Sequence, residues 1–278
     1  MHVREDVIPV VPDYSQLTMG TLTSIALMDP RELVEELPVS LTVILPSMDE
    51  TWSLRETVEQ IEKTNRADVL EYLIVLCKRT THECRAVAEE LSAIVPDRVR
   101  ILEQRLPFLG GAVRDAFDVA KGSHVVMMGA DLETDPATIP FMVAEAKRHR
   151  AAIVTATRWK GGLRFDGYGL LKLVLNRIFQ GFFALLYGVQ LTDLTFAYRI
   201  LPTDLVRSVR WEELKHPFLF ETIVKPLRLG VEVIEVPSFW RNRQEGVTHS
   251  TFLINFLYFR TGLKTRFRSR RKLLKRIQ

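Results

Sequence analysis

The chain has 278 residues, 47% of them hydrophobic and 26% charged, with 14 Gly and 13 Pro; this suits one large folded domain or two small ones and excludes disordered and fibrous classes. Two cysteines, Cys77 and Cys84, are too few for a disulfide framework or a Cys-based zinc site and point to a reducing, cytoplasmic compartment. The formal charge of +4 conceals an asymmetry: residues 260–278 hold nine Lys/Arg and no acid, leaving 29 basic against 34 acidic residues elsewhere, so the basic character belongs to a tail and nucleic-acid binding is not expected.

Residues 1–40 read as an appended arm with a short helix around 30–37, and their first 16 residues carry no continuous apolar stretch of the kind a secretory signal needs. From Leu41 short apolar runs alternate with longer amphipathic ones. Strands are expected at 41–46, 72–77, 99–102, 124–128 and 151–156, and helices at 52–65, 82–94, 110–121 and 136–149. This is the pattern of βαβ units: an α/β fold with a mostly parallel sheet covered by helices on both faces. Ligands of such sheets gather beyond the carboxyl ends of the strands, so chemistry is sought just after each one. A Gly-rich stretch (160–169) precedes an apolar helix at 170–187, which holds Lys172, Asn176, Arg177 and Gln180 and is therefore read as buried or interfacial. A further strand and helix follow, then a strand within 231–240. No segment reaches the ~18 uncharged apolar residues of a spanning helix.

Four segments carry candidate chemistry. After the strand at 124–128 come Asp131, Glu133 and Asp135 at alternate positions, an oxygen-rich mouth suited to a hard divalent cation; Asp135-Pro136 also fits a helix cap. Asp193 and Arg199 stand six apart between an apolar helix and a strand, as a buried ion pair or a substrate site. Arg241, Arg243, Gly246, Thr248 and Ser250 share a loop suited to phosphate oxygens, or simply a solvated one. Gly110-Gly111 opens a helix whose N-terminus can face a pyrophosphate.

Together these segments resemble the inverting family 2 glycosyltransferases of GT-A fold, and among them the polyprenyl-phosphate sugar transferases of the dolichyl-phosphate mannose synthase type, over roughly residues 40–250. The resemblance rests on Pro46-Ser47-Met48-Asp49-Glu50 for P-x-x-N-E and on Gly110-Gly111-Ala112-Val113-Arg114. It continues with Ala130-Asp131-Leu132-Glu133, Ala156-Thr157-Arg158 for G-S-R, Asp193 to Arg199 for D-x-T-S-G-F-R, and Glu235-Val236-Pro237 with Arg243, Gly246 and Thr248. Three departures stand out. Leu76 and Cys77 replace the base-binding aspartate pair, Gly129 replaces the first acid of D-x-D, and Phe196-Ala197 replaces Ser-Gly.

The resemblance implies a GT-A domain at 41–250 and an enzyme that moves a sugar from a nucleotide-diphosphate sugar to a polyprenyl phosphate. It assigns donor binding to Pro46, Asp49, Glu50, Gly111, Arg114, Ala130, Asp131 and Arg158, and a Mg²⁺ or Mn²⁺ ion to Asp131 and Glu133. The acceptor phosphate falls to Arg199, Arg241, Arg243 and Thr248, with Asp193 and Arg199 as the catalytic pair. A phosphate nucleophile needs no strong base, so Asp193 then orients the acceptor; a hydroxyl acceptor would make it the base. The competing readings are a soluble saccharide or small-molecule acceptor, and a degenerate relative that only binds sugar nucleotides. Residues 251–278 are expected to form an aromatic, strongly basic amphipathic helix that holds the protein peripherally on the anionic inner face of the membrane; oligomer packing is its alternative role.

Overall fold

The computed structural model describes residues 38–160, 169–241, 245 and 253–275; the helix expected around 30–37, Arg243 and Thr248 lie outside them. Among the described residues seven strands form one sheet, in the order β3-β2-β1-β4-β6-β5-β7. They are β1 (Leu41–Pro46), β2 (Val69–Leu76), β3 (Val99–Glu103), β4 (His124–Met127), β5 (Ile153–Thr157), β6 (Arg199–Pro202) and β7 (Val233–Pro237). All pairings are parallel except those of β6, which runs antiparallel to β4 and β5.

Helices α1 (Trp52–Asn65), α2 (His82–Ile94), α3 (Phe108–Val119) and α4 (Ile139–Arg148) are the crossovers. The alternation within β1 shows why the sheet is covered twice. Leu41, Val43 and Leu45 pack with Leu54, Val58 and Ile61 of α1, Leu91 of α2 and Met142 of α4, whereas Ile44 points the other way, into a cluster with Val113, Ala116 and Phe117 of α3. Such two-sided burial is what a continuous apolar strand requires. The expected helix at 136–149 divides: Asp135 caps a 3₁₀ turn over Pro136–Thr138 by accepting from the Ala137 amide at 3.1 Å, and α4 proper starts at Ile139. The capping role foreseen for Asp135 is therefore the one it performs.

Beyond β5 lie α5 (Leu170–Tyr187), α6 (Thr203–Ser208), α7 (Pro217–Leu229) and α8 (Leu253–Arg266). α8 belongs to the same unit as the sheet. Its Tyr258 packs on Phe179 and Phe220, and a Cβ at its Gly262 would lie 2.2 Å from the Phe183 ring. The helix expected to be amphipathic at the C-terminus is thus seated on α5 and α7, with Tyr258 turned inward and Phe256 exposed.

Candidate active site

The parallel strands send the loops after β1, β2, β4, β5 and β7 to one edge of the sheet, and antiparallel β6 brings the loop before it, Thr192–Tyr198, to that same edge. Candidate residues drawn from six distant stretches of sequence therefore converge.

In the β1 loop, Glu50 folds back so that its Oε2 accepts from the Met48 and Asp49 amides at 2.7 and 3.2 Å. Burial raises the Glu50 carboxyl above its usual range against the lowering effect of the Met48 amide and its own amide, and the charges of Asp49 and Asp131 add to the rise. Three acids thus share one neighbourhood. Thr80, after β2, donates from its hydroxyl to the Ser47 carbonyl at 3.1 Å, tying the loops together. Pro46 closes β1 opposite Val75.

The β4 loop is shaped around Asp131, which is buried and accepts from the Glu133 amide at 3.1 Å. Leu132 between them lies at φ 59°, a left-handed conformation that costs a leucine about 1–2 kcal/mol. Gly129 has a local reason: a Cβ there would stand 2.7 Å from Asp131 Oδ1. The position at which the resemblance expects an acid is the space over which the Asp131 carboxylate lies. Tyr198 braces the loop by donating to the Asp135 carbonyl at 3.0 Å, and Thr134 bridges Trp240 beyond β7. That bridge brings Arg241 alongside, its amide directed at the Glu133 carbonyl at 3.4 Å. Arg241, Leu132 and Asp135 line a cleft of about 310 Å³ with Trp52, Glu56 and Gln60.

Asp193 pairs with Arg158, and the expected partner Arg199 lies elsewhere. Arg158 Nε and one terminal nitrogen donate to the two Asp193 oxygens at 2.7 and 2.9 Å. The Phe196 amide and Gln180 of α5 donate to Asp193 as well, at 3.1 and 3.2 Å. Burial would raise this carboxyl, but the charge and hydrogen bonds of Arg158 hold it below the usual range. Arg199 is fully buried, its guanidinium donating to Thr155 at 3.1 Å, to the Leu194 carbonyl at 2.8 Å, and to Thr222 and the Leu219 carbonyl. It ties the 192–198 loop to α7 from below, so the acceptor-phosphate role assigned to it is corrected: its donors are taken inside the protein.

Two further assignments lie on α3. A Cβ on Gly110 would meet the Leu214 carbonyl at 2.8 Å, and one on Gly111 the Leu106 carbonyl at 2.5 Å. The paired glycines thus serve close packing of α3 against neighbouring backbone, a structural role beside the pyrophosphate contact expected of Gly111. Arg114 lines a different cleft, about 450 Å³, with Asp118, Arg210 and Lys275, and is not brought to Asp131. Ala130 is buried beneath the loop.

Two acids do more than sequence reasoning assigned to them. Glu235 of β7 accepts from the Thr192 and Asp193 amides at 2.7 and 2.8 Å, fixing the Asp193 loop. Glu245 caps α1 from 192 residues away, accepting from the Ser53 amide and hydroxyl at 3.0 and 2.8 Å. Burial raises Glu245, but the Thr51 and Ser53 hydrogen bonds outweigh it and keep the carboxyl below its ordinary value. No local pattern announces a cap supplied from so far along the chain.

Comparisons with known proteins speak to the fold and the family. Glycosyltransferase AglD of Haloferax volcanii is 26% identical over 212 residues, 73% of this chain and 33% of AglD. Dolichol-phosphate mannosyltransferase of Pyrococcus furiosus is 26% identical over 211 residues, 75% of this chain and 58% of the relative. The chain thus spans about a third and somewhat over half of the length of these two relatives. The fold is shared with glucosyl-3-phosphoglycerate synthase from Mycobacterium tuberculosis, solved with Mn²⁺, UDP and glucosyl-3-phosphoglycerate: TM-score 0.61 at 16% identity, covering 92% of this chain and 86% of that one. The sequence model described as "Glycosyl transferase family 2" matches residues 42–209, well over half of the chain. The chain belongs to glycosyl transferase family 2.

Proposed function

We propose that the chain is a glycosyltransferase that moves a sugar from a nucleotide-diphosphate sugar to a polyprenyl phosphate, working peripherally at the cytoplasmic face of a membrane. The observation that carries this reading is Asp131, held on the carboxyl edge beside a cleft that Arg241 lines. Family membership supports the reaction class, and the relative named dolichol-phosphate mannosyltransferase supports the lipid-phosphate acceptor. No helix among the described residues is long and apolar enough to cross a membrane.

The donor set fits Mg²⁺ or Mn²⁺. Asp131, with Glu133 beside it, offers carboxylate oxygen where the charges of Asp49 and Glu50 already repel one another, and such ions are commonly held by one or two carboxylates plus substrate phosphates. When bound, the ion supplies positive charge against the negative charge gathering on the departing diphosphate. Among the described residues no group of three acidic, His or Cys side chains forms a cage.

Arg241 is exposed at the cleft and presents a fork that matches phosphate oxygens; Arg243 and Thr248, from the same stretch of sequence, join it in this proposal. The acceptor oxygen bonds to the anomeric carbon as the bond to the diphosphate breaks, and the electron pair leaves with the nucleoside diphosphate. Asp193 positions its loop. Its oxygens are engaged by Arg158, Gln180 and the Phe196 amide, which leaves it poorly suited to take a proton and favours an acceptor that arrives as an anion.

The test is a panel of nucleotide sugars with Mn²⁺ or Mg²⁺, with and without polyprenyl phosphate, read as nucleotide release and lipid product by mass spectrometry. A lipid-linked sugar from one donor is expected, lost about a thousandfold in Asp131→Ala. Transfer to soluble acceptors alone refutes the lipid acceptor. No release from any donor refutes catalysis and leaves a sugar-nucleotide-binding protein.

A further inference from the structure

α5 is two-faced. Gln180 on its inner side donates to Thr195 Oγ1 at 2.7 Å and to Asp193 Oδ1 at 3.2 Å, and accepts from the Leu194 amide at 2.8 Å. Half a turn round the helix lies a stripe of exposed apolar side chains: Leu171 (73% exposed), Leu175 (51%), Ile178 (62%), Phe182 (43%) and Leu185 (84%). At 1.5 Å per residue it runs about 20 Å. α8 extends it, because Phe182 and Phe259 touch with ring centroids 5.8 Å apart. From Phe259 the apolar surface continues along α8 through exposed Phe256, Leu263 and Phe267. A continuous apolar area of this length is unusual on a soluble surface and marks an interaction site.

The charge around it selects the occupant. Neither 170–187 nor 246–278 contains an acidic residue; Arg260 is exposed next to Phe259 in sequence, and Arg270, Arg271 and Lys272 are exposed in the 3₁₀ turn that follows α8. Of the acids that α8 meets, Glu212 is engaged by Lys225, Lys264 and Arg268, and Glu213 accepts from the Thr261 hydroxyl at 3.0 Å. A second copy of this chain would bring the same cations against themselves, whereas an anionic lipid surface offers both acyl chains and phosphates.

We propose that α5 and α8 together form a docking face for an anionic lipid bilayer, with the outer stripe of α5 entering the acyl boundary and the cations of 260–272 meeting headgroup phosphates. This deepens the lipid-acceptor reading, on which its purpose rests: the helix that meets the bilayer is the helix that fixes the Asp193 loop, so docking sets the candidate site at the height of a membrane-borne phosphate. It also shifts the membrane contact from the basic tail alone to an internal helix of the catalytic domain.

The test is flotation of the full chain with phosphatidylcholine vesicles and with equimolar phosphatidylcholine and phosphatidylglycerol, with neither donor nor acceptor present, so that the outcome is independent of whether the transfer reaction is correctly assigned. Binding is expected to the anionic vesicles and to weaken with salt. The triple variant Leu171→Ser, Ile178→Ser, Leu185→Ser changes only exposed positions and is expected to fold with an unaltered circular dichroism spectrum while binding roughly a hundredfold more weakly. Unchanged binding by this variant overturns the proposal in favour of the tail alone. A doubled mass in solution that the triple variant abolishes, with no vesicle binding by either protein, overturns it in favour of a second copy. Independently, tryptophan in Leu185→Trp is expected to be quenched by brominated lipids; vesicle binding without quenching refutes insertion of α5.

Discussion

Replacing Asp193 by Asn tests the assignment of this residue to structure and positioning. In the wild type its carboxylate faces the Arg158 guanidinium through two hydrogen bonds of 2.7 and 2.9 Å, and Arg158 is itself only 8% exposed. Asparagine keeps the shape and one acceptor oxygen but leaves the buried cation without its counter-charge, which costs about 3–5 kcal/mol. For a domain of this size that lowers the unfolding temperature by roughly 10 °C. The assay is differential scanning calorimetry on Asp193→Asn, Arg158→Met and the double variant. If the two side chains act as a pair, the double variant loses less than the two single losses added together, with a coupling of about 2 kcal/mol. Because the folded carboxyl lies below its ordinary value, the contribution is complete at neutral pH and disappears only as the pH falls through the folded value. An Asp193→Asn protein that melts with the wild type but transfers no sugar would refute this reasoning and return Asp193 to the role of base.

Other predictions follow from burial. His124 is buried with Nε2 2.9 Å from the Arg150 carbonyl, and burial drives its imidazole down to about 4 despite that hydrogen bond. The unfolded chain, near 6.5, then takes up the proton first, so about 3 kcal/mol of stability is lost as the pH falls from about 6.5 to 4. Urea midpoints above and below that window should show this loss in the wild type and a smaller one in His124→Gln; equal losses would refute it. The Cys84 thiol is pushed up to about 12 by burial, with the charges of Glu50, Asp49 and Glu245 adding to the effect. Iodoacetamide under native conditions should therefore modify half-exposed Cys77 and spare Cys84, as read by peptide mass spectrometry. Gly110→Ala places a methyl group 2.7 Å from Phe218 Cβ and 2.8 Å from the Leu214 carbonyl, and should cost about 1–3 kcal/mol in denaturant unfolding.

Much of the fold was legible because its signals are local. The apolar strand at 41–46 and the helix at 52–65 agree with β1 and α1, since periodicity and punctuation act over a few residues. The family too was legible, in short motifs whose order survives sequence divergence. Element ends were less so: β5 is expected at 151–156 and found at Ile153–Thr157, where pairing with β7 sets its limits.

The sequence by itself determined that acids and arginines follow the strands of an α/β sheet, because strand order and helix spacing are written along the chain. Which of those groups face solvent was decided only by tertiary structure. Asp193 and Arg199 are six residues apart, yet Arg199 turns beneath the edge toward Thr222 while Arg158, from another strand, takes the carboxylate. Gly129 reads in sequence as a lost acid and in three dimensions as room for the Asp131 carboxylate. Glu245 gains its function only when the chain returns to α1. The apolar helix at 170–187 reads in sequence as buried or interfacial; packing against α7 and α8 selected which of its faces stays outside. Except at Gly129, the deciding interaction joins residues far apart in the chain, and such partners leave no trace in local sequence because nothing local depends on them.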